Sequence, residues 1–398
     1  MTKKFLVFAG FMLTAALAFA GGTTTADAQG APAPAAPMPM PLSMPAMTGP
    51  LTANPNPTKF NLGPLGDVYV TGVVSGLVQW QDAIFPGDRE FQWDLTNGQV
   101  FVQKNTGLIQ FFVQAGGYSL PDLGLPYFRA GTMTNATFGV VPQAFLKIAP
   151  TDNFSIMAGK LPTLIGAEYT WSFENMNIQR GVLWNQENAV NRGVQVNYAA
   201  GPVTLAASWN DGFYSNQLSW LWGLVSYTIN SSNTISFVGG GNLAKSNIST
   251  FATPLYLNNE QIYNIIYTFN SGPWTITPYV QYTHVPRYVA IGAFHEASTI
   301  GGALFVKYAF NDNFSLAGRA EYIDSSGTLA NGAPSLIYGP GSNAWSFTIT
   351  PTYQQGIFFA RAEYSYVGAG NTTPGFAMGP SFTDTSENRL LFETGVIF

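Results

Sequence analysis

The sequence predicts an all-β fold: a transmembrane antiparallel up-and-down β-barrel of about 16 strands, preceded by a signal peptide and a Pro-rich leader. Three observations predict it. The last ten residues, Arg389 to Phe398, place Leu390, Phe392, Thr394, Val396 and Phe398 on one parity and Arg389, Leu391, Glu393, Gly395 and Ile397 on the other, which is a strand with an apolar face. Charged residues are 9% of the chain and aromatic residues 15%. With a mean hydropathy of +0.10, this suits strands that show one face to lipid and one to water. Tight polar turns and long loops also alternate along the whole chain.

The N-terminal elements come first. Lys3 and Lys4 precede an apolar run, Phe5 to Ala20, and two small-x-small sites follow at Ala18-Phe19-Ala20 and Ala26-Asp27-Ala28. Residues 1–28 therefore read as a secretory signal peptide cleaved after Ala20 or Ala28. The polar run Gly21 to Ala28 favours the second site. Residues 29–62 are rich in Pro, Ala and Met, and Pro at this density opposes both helix and ladder pairing. They are expected to form an extended or disordered periplasmic leader, with the barrel over 63–398. Cysteine is absent, so there is no disulfide frame, no thiol chemistry and no lipoprotein anchor.

Seven tight connections fall at Asn105-Thr106, Thr151-Asp152-Asn153, Ala200-Gly201-Pro202, Asn230 to Asn233, Asn270 to Pro273, Asn311-Asp312-Asn313 and Gln355-Gly356. Asn, Asp and Gly tolerate positive φ and Pro fixes φ, so these are turn residues. Eight longer connections alternate with them, at 82–91, 118–137, 163–190, 212–217, 243–258, 286–296, 325–342 and 368–387. They separate sixteen segments, from Val68–Gln81 to Arg389–Phe398, with fourteen or eighteen as the neighbouring counts. Both ends of the barrel lie on the short-turn side, which is the periplasmic side.

Several strands assign their own faces. Phe358, Ala360, Ala362, Tyr364 and Tyr366 alternate with Phe359, Arg361, Glu363 and Ser365, and Arg319 and Glu321 share one parity of Phe314–Ile323. A Lys or Arg at the lipid midplane costs about 2–4 kcal/mol, so the charged parity points inward. The pore-lining set is then Lys147, Lys307, Arg319, Glu321, Arg361, Glu363, Arg389 and Glu393, with Gln110, Gln114, Gln143, Gln195, Asn197 and Gln281. Periodicity alone also allows a soluble sandwich or a lipocalin-like barrel with the faces reversed. Outward aromatics favour the membrane reading. They gather at two levels, with Phe269, Trp274, Phe310, Phe314, Tyr353 and Phe398 near one rim and Trp80, Trp209, Tyr282, Tyr322, Trp345 and Tyr366 near the other. Ser219–Ile229 and Phe154–Leu161 have mixed faces and assign no parity.

The longest loop, 163–190, carries Glu168, Trp171, Glu174, Arg180, Trp184 and Glu187. A loop of this length is functional or disordered, and its aromatic and charged content argues against disorder. Here the sequence resembles a known family. Ala158 to Glu168, A-G-K-L-P-T-L-I-G-A-E, is similar to the G-K-x-x-T-x-x-G-A-E stretch of the β-barrel porin-2, OmpL-like family. Asn191 to Tyr198 resembles that family's next strand. Leu95 to Lys104 resembles its early hairpin, with Gln103 where the family has an acidic residue. The resemblance implies an outer-membrane channel for small hydrophilic solutes. By analogy with general porins it also implies a constriction by the third loop, through Glu168, Glu174, Arg180 and Glu187. The final strand resembles the closing strand that the barrel-assembly machinery reads, with Phe392, Val396 and Phe398 as the signal.

Nothing in the sequence points to catalysis. The two histidines, His284 and His295, have neither the spacing nor the carboxylates of a metal site. No nucleophile motif, phosphate loop or metalloprotease motif occurs. The net charge of −5 offers no basic stripe for nucleic acid. The expectation is no enzyme and no cofactor. The expected partners are outer-membrane lipid, the assembly machinery, small solutes and two further copies of the chain in a homotrimer. Gly72, Gly76 and Gly302 are candidates for that interface. The alternative function is a plugged or structural barrel that presents its loops for binding.

Overall fold

The computed structural model describes residues 44–398, so the expected signal peptide and the start of the leader lie outside the described residues. A short strand, β1 (Thr58–Asn61), comes first, followed by the barrel wall. The wall runs through β2 (Asp67–Gln81), β3 (Phe91–Lys104), β4 (Ile109–Tyr118), β5 (Gln143–Thr151), β6 (Phe154–Pro162), β7 (Val190–Ala200), β8 (Val203–Asn210) and β9 (Trp220–Asn230). It continues through β10 (Asn233–Asn242), β11 (Gln261–Ser271), β12 (Trp274–Val285), β13 (Ala297–Ala309), β14 (Phe314–Ser325), β15 (Asn343–Gln355), β16 (Phe358–Gly370) and β17 (Ser386–Ile397). Consecutive strands pair antiparallel all the way round. β17 then pairs β2, from Arg389 opposite Gln81 to Ile397 opposite Val73. The wall is thus the sixteen-stranded closed barrel that the sequence predicts.

The last residue finishes the seam. Phe398 N–H donates to Gly72 O at 2.9 Å, and Gly72 N–H donates to Phe398 O at 2.8 Å. Below that point β1 takes over as β2's neighbour, from Thr58 opposite Val70 to Asn61 opposite Asp67. The sequence reading assigns these residues to the leader. They pair instead because β2 extends past the end of β17 and offers an unpaired edge, which a strand covers. Gly72 has a local role too. A Cβ there would lie 2.5 Å from Phe398 Cζ and 2.8 Å from Gln99 O. Its missing side chain is used within this chain, by the Phe398 ring.

Alternation is clean where charge sits on one face. Along β16, Phe358, Ala362 and Tyr364 are exposed, while Phe359, Arg361, Glu363 and Ser365 are buried inside. β9 has no legible parity for a physical reason. Its inward Trp220 and Trp222 stack with ring centroids 5.3 Å apart in an apolar cluster with Ile165, Phe213, Val238 and Ile262. The loop-side half of that strand is apolar on both faces. The second long loop also differs from expectation. It runs to residue 142 and contains a helix, α1 (Ala130–Ala136). Asp94 on β3 accepts Ala130 N–H at 2.6 Å, and the helix lays Met133 and Thr134 on the wall.

Replacing Gly72 with Leu is expected to push Phe398 off the seam and lower the folded, heat-modifiable fraction in outer-membrane preparations to the level of a chain lacking Phe398. Gly76→Ala meets only Asp94 O, at 3.3 Å, and is expected to assemble. Gel mobility before and after heating reads both; normal assembly of Gly72→Leu would contradict this account of the seam.

Candidate functional site

The interior is occupied by the third long loop, residues 163–189. Trp171, Phe173, Met176, Ile178, Val182, Leu183 and Trp184 are all buried. Trp171 meets Tyr118 edge to face at 4.7 Å, and Phe173 lies 5.8 Å from Phe101. The loop crosses the lumen and lies against the wall made by β12 to β17. Apolar burial places it there, and polar groups then fix its register.

Those polar groups are the charges that alternation predicts to point inward. Arg361 pairs with Glu393, its cross-strand neighbour, and donates to Asn175 O at 3.2 Å and Ser172 O at 3.0 Å. Arg319 donates to Glu168 Oε1 and to Gln179 O, both at 2.7 Å. Its Nε lies 3.1 Å from Glu321 Oε2, a charge contact whose N–H is not aimed along the pair. Glu321 accepts from Val182 N–H and Leu183 N–H at 3.1 and 3.2 Å. Glu363 accepts from Ile178 N–H at 2.5 Å and Gln179 N–H at 3.1 Å. Arg389 pairs with Glu387 at 2.8 Å and reaches Asp122 O and Gln179 Oε1. The wall therefore binds the loop's backbone. The carboxylates take N–H groups and the guanidinium groups take carbonyls, which satisfies polar groups that water would otherwise have to reach.

The loop's own charged residues are spent differently. Arg180 turns away from the passage and pairs with Asp122 of the second loop at 2.7 Å. Glu168 goes to Arg319. Glu174 accepts only the Trp171 N–H, at 3.3 Å, and Glu187 meets the Tyr279 hydroxyl at 3.5 Å. Burial pushes the carboxyls of Glu174 and Glu187 well above the usual range. Lys147 and Lys307 stand apart from the cluster, half-buried nearer the short turns. Phe392 is exposed on the outer face, and Val396 follows it toward Phe398. Asp122, Gln179 and Glu387 are missed by the sequence reading. Glu387 had a signal, because two residues from Arg389 along a strand is the same face.

The leader brings the larger correction. Its described part does not trail into the periplasm but enters the short-turn end of the lumen. Leu51 is 1% exposed, in one apolar cluster with Val73, Phe359 and Ile397. Gln103 Nε2 donates to Met44 O at 2.6 Å, and Thr48 N–H donates to Glu174 O of the third loop at 2.9 Å. Gln354 holds Thr52 from both sides, accepting its N–H at 2.8 Å and donating to its O at 3.0 Å. Proline forbids strand or helix here, but not an extended chain with bonds to neighbouring side chains.

Cavities lie beside these segments among the described residues. One, of about 810 Å³, opens at the short turns of β4 to β8 and is lined by Gln110, Lys147, Ser155, Asn197 and Thr204 among others. Another, of about 310 Å³, lies between Met47, Thr48, Gly166 and Glu168 on one side and Thr268, Thr277 and Lys307 on the other. Among the described residues, no group of three or more His, Asp or Glu side chains is set to hold a metal ion.

A family model described as "Putative beta-barrel porin-2, OmpL-like" matches residues 67–398. No curated protein matches the chain. Solved structures do. OmpT of Vibrio cholerae is 12% identical, with a TM-score of 0.55 over 84% of this chain and 99% of that one. The anion-selective porin from Comamonas acidovorans is 10% identical, with a TM-score of 0.56 over 83% and 99%. The outer membrane channel DcaP of Acinetobacter baumannii is 12% identical, with a TM-score of 0.56 over 83% and 97%. At these identities the likeness is one of fold.

Removing one partner of the Arg361–Glu393 pair leaves a buried charge without its counter-ion, which costs about 3–5 kcal/mol. Arg361→Met is expected to lower the temperature at which the folded form is lost in detergent and to expose the loop around Ser172 to protease. Arg361→Met with Glu393→Leu should recover part of the loss. A single variant as heat-stable and protease-resistant as the parent would show that this pair does not hold the loop.

Proposed function

The chain belongs to the family described as "Putative beta-barrel porin-2, OmpL-like" and is an outer-membrane porin; from that premise we propose that small hydrophilic solutes diffuse passively through the part of its lumen that loop 163–189 leaves free. The observation that carries this reading is one-sided docking. The loop's charged bonds run to β14–β17 and its last residues bond to Tyr279 and Gln281 of β12 and Thr299 of β13, while the larger polar cavity lies along β4–β8 and a smaller one between the loop and β11–β13. Width and lining groups then select the solute. In this reading the constriction is built from Glu168, Glu174 and Glu187, with Arg180 acting as a brace. The segment 44–53 narrows the periplasmic end. The protein works as a channel rather than an enzyme, is assembled through the signal around Phe398, and associates as a trimer. The solved Vibrio cholerae OmpT in its trimer form is similar in fold.

A second reading, a plugged barrel that presents its loops, has one observation in its favour. The outer loops are bonded to one another over the mouth: Tyr338 Oη donates to Gly124 O at 3.2 Å, and Gln186 Nε2 donates to Leu336 O at 3.2 Å.

Planar-bilayer recording separates the two. The porin reading expects stepwise conductance from purified, folded protein, and a chain lacking residues 44–53 is expected to show larger steps. Folded protein that never opens would select the plugged barrel. Steps of equal size in the two chains would show that the leader does not limit the passage.

A further inference from the structure

Nearly every buried carboxylate of the lumen has donors. Glu321, Glu363 and Glu393 each accept at least two N–H or O–H groups, and Glu168 has both Arg319 and Gly181 N–H. Glu260, at the loop-side end of β11, is fully buried and neither of its carboxylate oxygens accepts a bond. Glu187, also buried, leaves Oε2 unmet. No cationic side chain among the described residues pairs with either. The wall between them repeats the pattern. Asn264 on β11 and Thr283 on β12 are fully buried, and Asn264 Oδ1 and Thr283 Oγ1 have no partner. Asn264 Nδ2 donates to Gln281 at 3.0 Å and its amide also lies against the Glu187 carboxyl, while Gln281 Nε2 donates to Leu183 O at 3.0 Å.

These groups share one face. Ile262 pairs with Thr283 and Asn264 with Gln281 across β11 and β12, and Glu260 lies two residues beyond Ile262 on the same parity. Glu187 enters from the loop beside Tyr279, which follows Gln281 inward. A side chain on Gly166, which lines the 310 Å³ cavity, would run into Glu187 Oε2. The column of oxygens thus runs from the loop end of the wall to Glu187, which lies behind Gly166 at the edge of that cavity. The four arginines deeper in the lumen cannot neutralise it, because each is already committed to a carboxylate of its own.

Buried carboxylates without donors are costly unless they take up a proton or a positive ligand, and a cation entering the site would displace that proton. We propose that Glu187, Glu260, Asn264 and Thr283 form a transit site for hard cations, and that the pore prefers cations over anions. The proposal rests on the porin reading and names its solute class. Oxygen-only ligands suit alkali and alkaline-earth ions. The oxygens are strung along the wall rather than gathered on one ion, with Glu260 and Asn264 about 13 Å apart along the strand, so each contact is weak and an ion can leave it, as conduction requires.

The test uses full-length protein, with E187Q and E260Q as variants that keep side-chain shape and cannot ionise. In a bilayer under a KCl gradient, the wild-type reversal potential is expected to have the sign of K⁺ preference. The K⁺ over Cl⁻ permeability ratio should fall several-fold toward unity in the double variant. An anion-preferring or unselective wild type, or an unchanged ratio in the double variant, overturns the proposal. Terbium luminescence excited through tyrosine gives a readout that needs no conductance. Tb³⁺ emission from the folded protein in detergent is expected to fall in E187Q and in E260Q. If the bilayer stays silent, the porin reading fails. The cation site then stands if the variants lose emission, and falls if wild type and variants emit alike.

Discussion

A sheet standing in hydrocarbon can leave no edge, because nothing in lipid pairs with a bare N–H or C=O. Everything else in this molecule follows from how that edge is closed. The seam between β17 and β2 is nine residue pairs long by register, from Arg389 and Gln81 to Ile397 and Val73. Phe398 adds two more bonds on Gly72, and β1 continues the ladder beneath it. Closure also decides which side of each strand is inside. Once Arg361 and Glu363 must avoid lipid, Phe358, Ala362 and Tyr364 have to face it.

Closure at this strand number leaves an interior too wide for wall side chains to fill. The chain fills much of it with its own backbone. A buried loop is normally excluded because its N–H and C=O groups go unpaired. Here the wall supplies the partners, with Arg361, Arg319 and Arg389 taking carbonyls and Glu321 and Glu363 taking N–H groups. Opposed charges next to each other on the wall therefore do more than neutralise one another. Each pair holds its partner's geometry while also gripping the loop, and breaking either partner exposes both functions.

The wall was legible in the sequence, while its contents were legible only in part. Period-two alternation and turn chemistry are local signals. They place strands to within a few residues, and a charge such as Arg319 fixes a whole strand's parity. Glu387 was readable by the same rule. β9 was not, since Trp220 and Trp222 make the loop-side half of its inner face as apolar as the outer one. The leader shows the deeper limit. Met44 to Thr52 have the composition of a spacer, and only complementarity with distant residues such as Gln103 and Gln354 brings them inside. No window of sequence holds that information. Asn264 and Thr283 are similar cases, ordinary strand residues until their partners are counted in three dimensions.

The bonds that seat the third loop join residues far apart in the chain: Arg361 lies 189 positions from Ser172 and 186 from Asn175. Such contacts carry a large loop-closure entropy and form late. Until β14–β17 are in place, loop 163–189 has no wall to rest on, and its apolar surface around Trp171 and Phe173 is left without that cover. The order of events is then set by geometry: a wide, wet cylinder must close before its interior can dry. A chaperone acting on the unclosed chain has this loop, as well as the strands, to keep from aggregation.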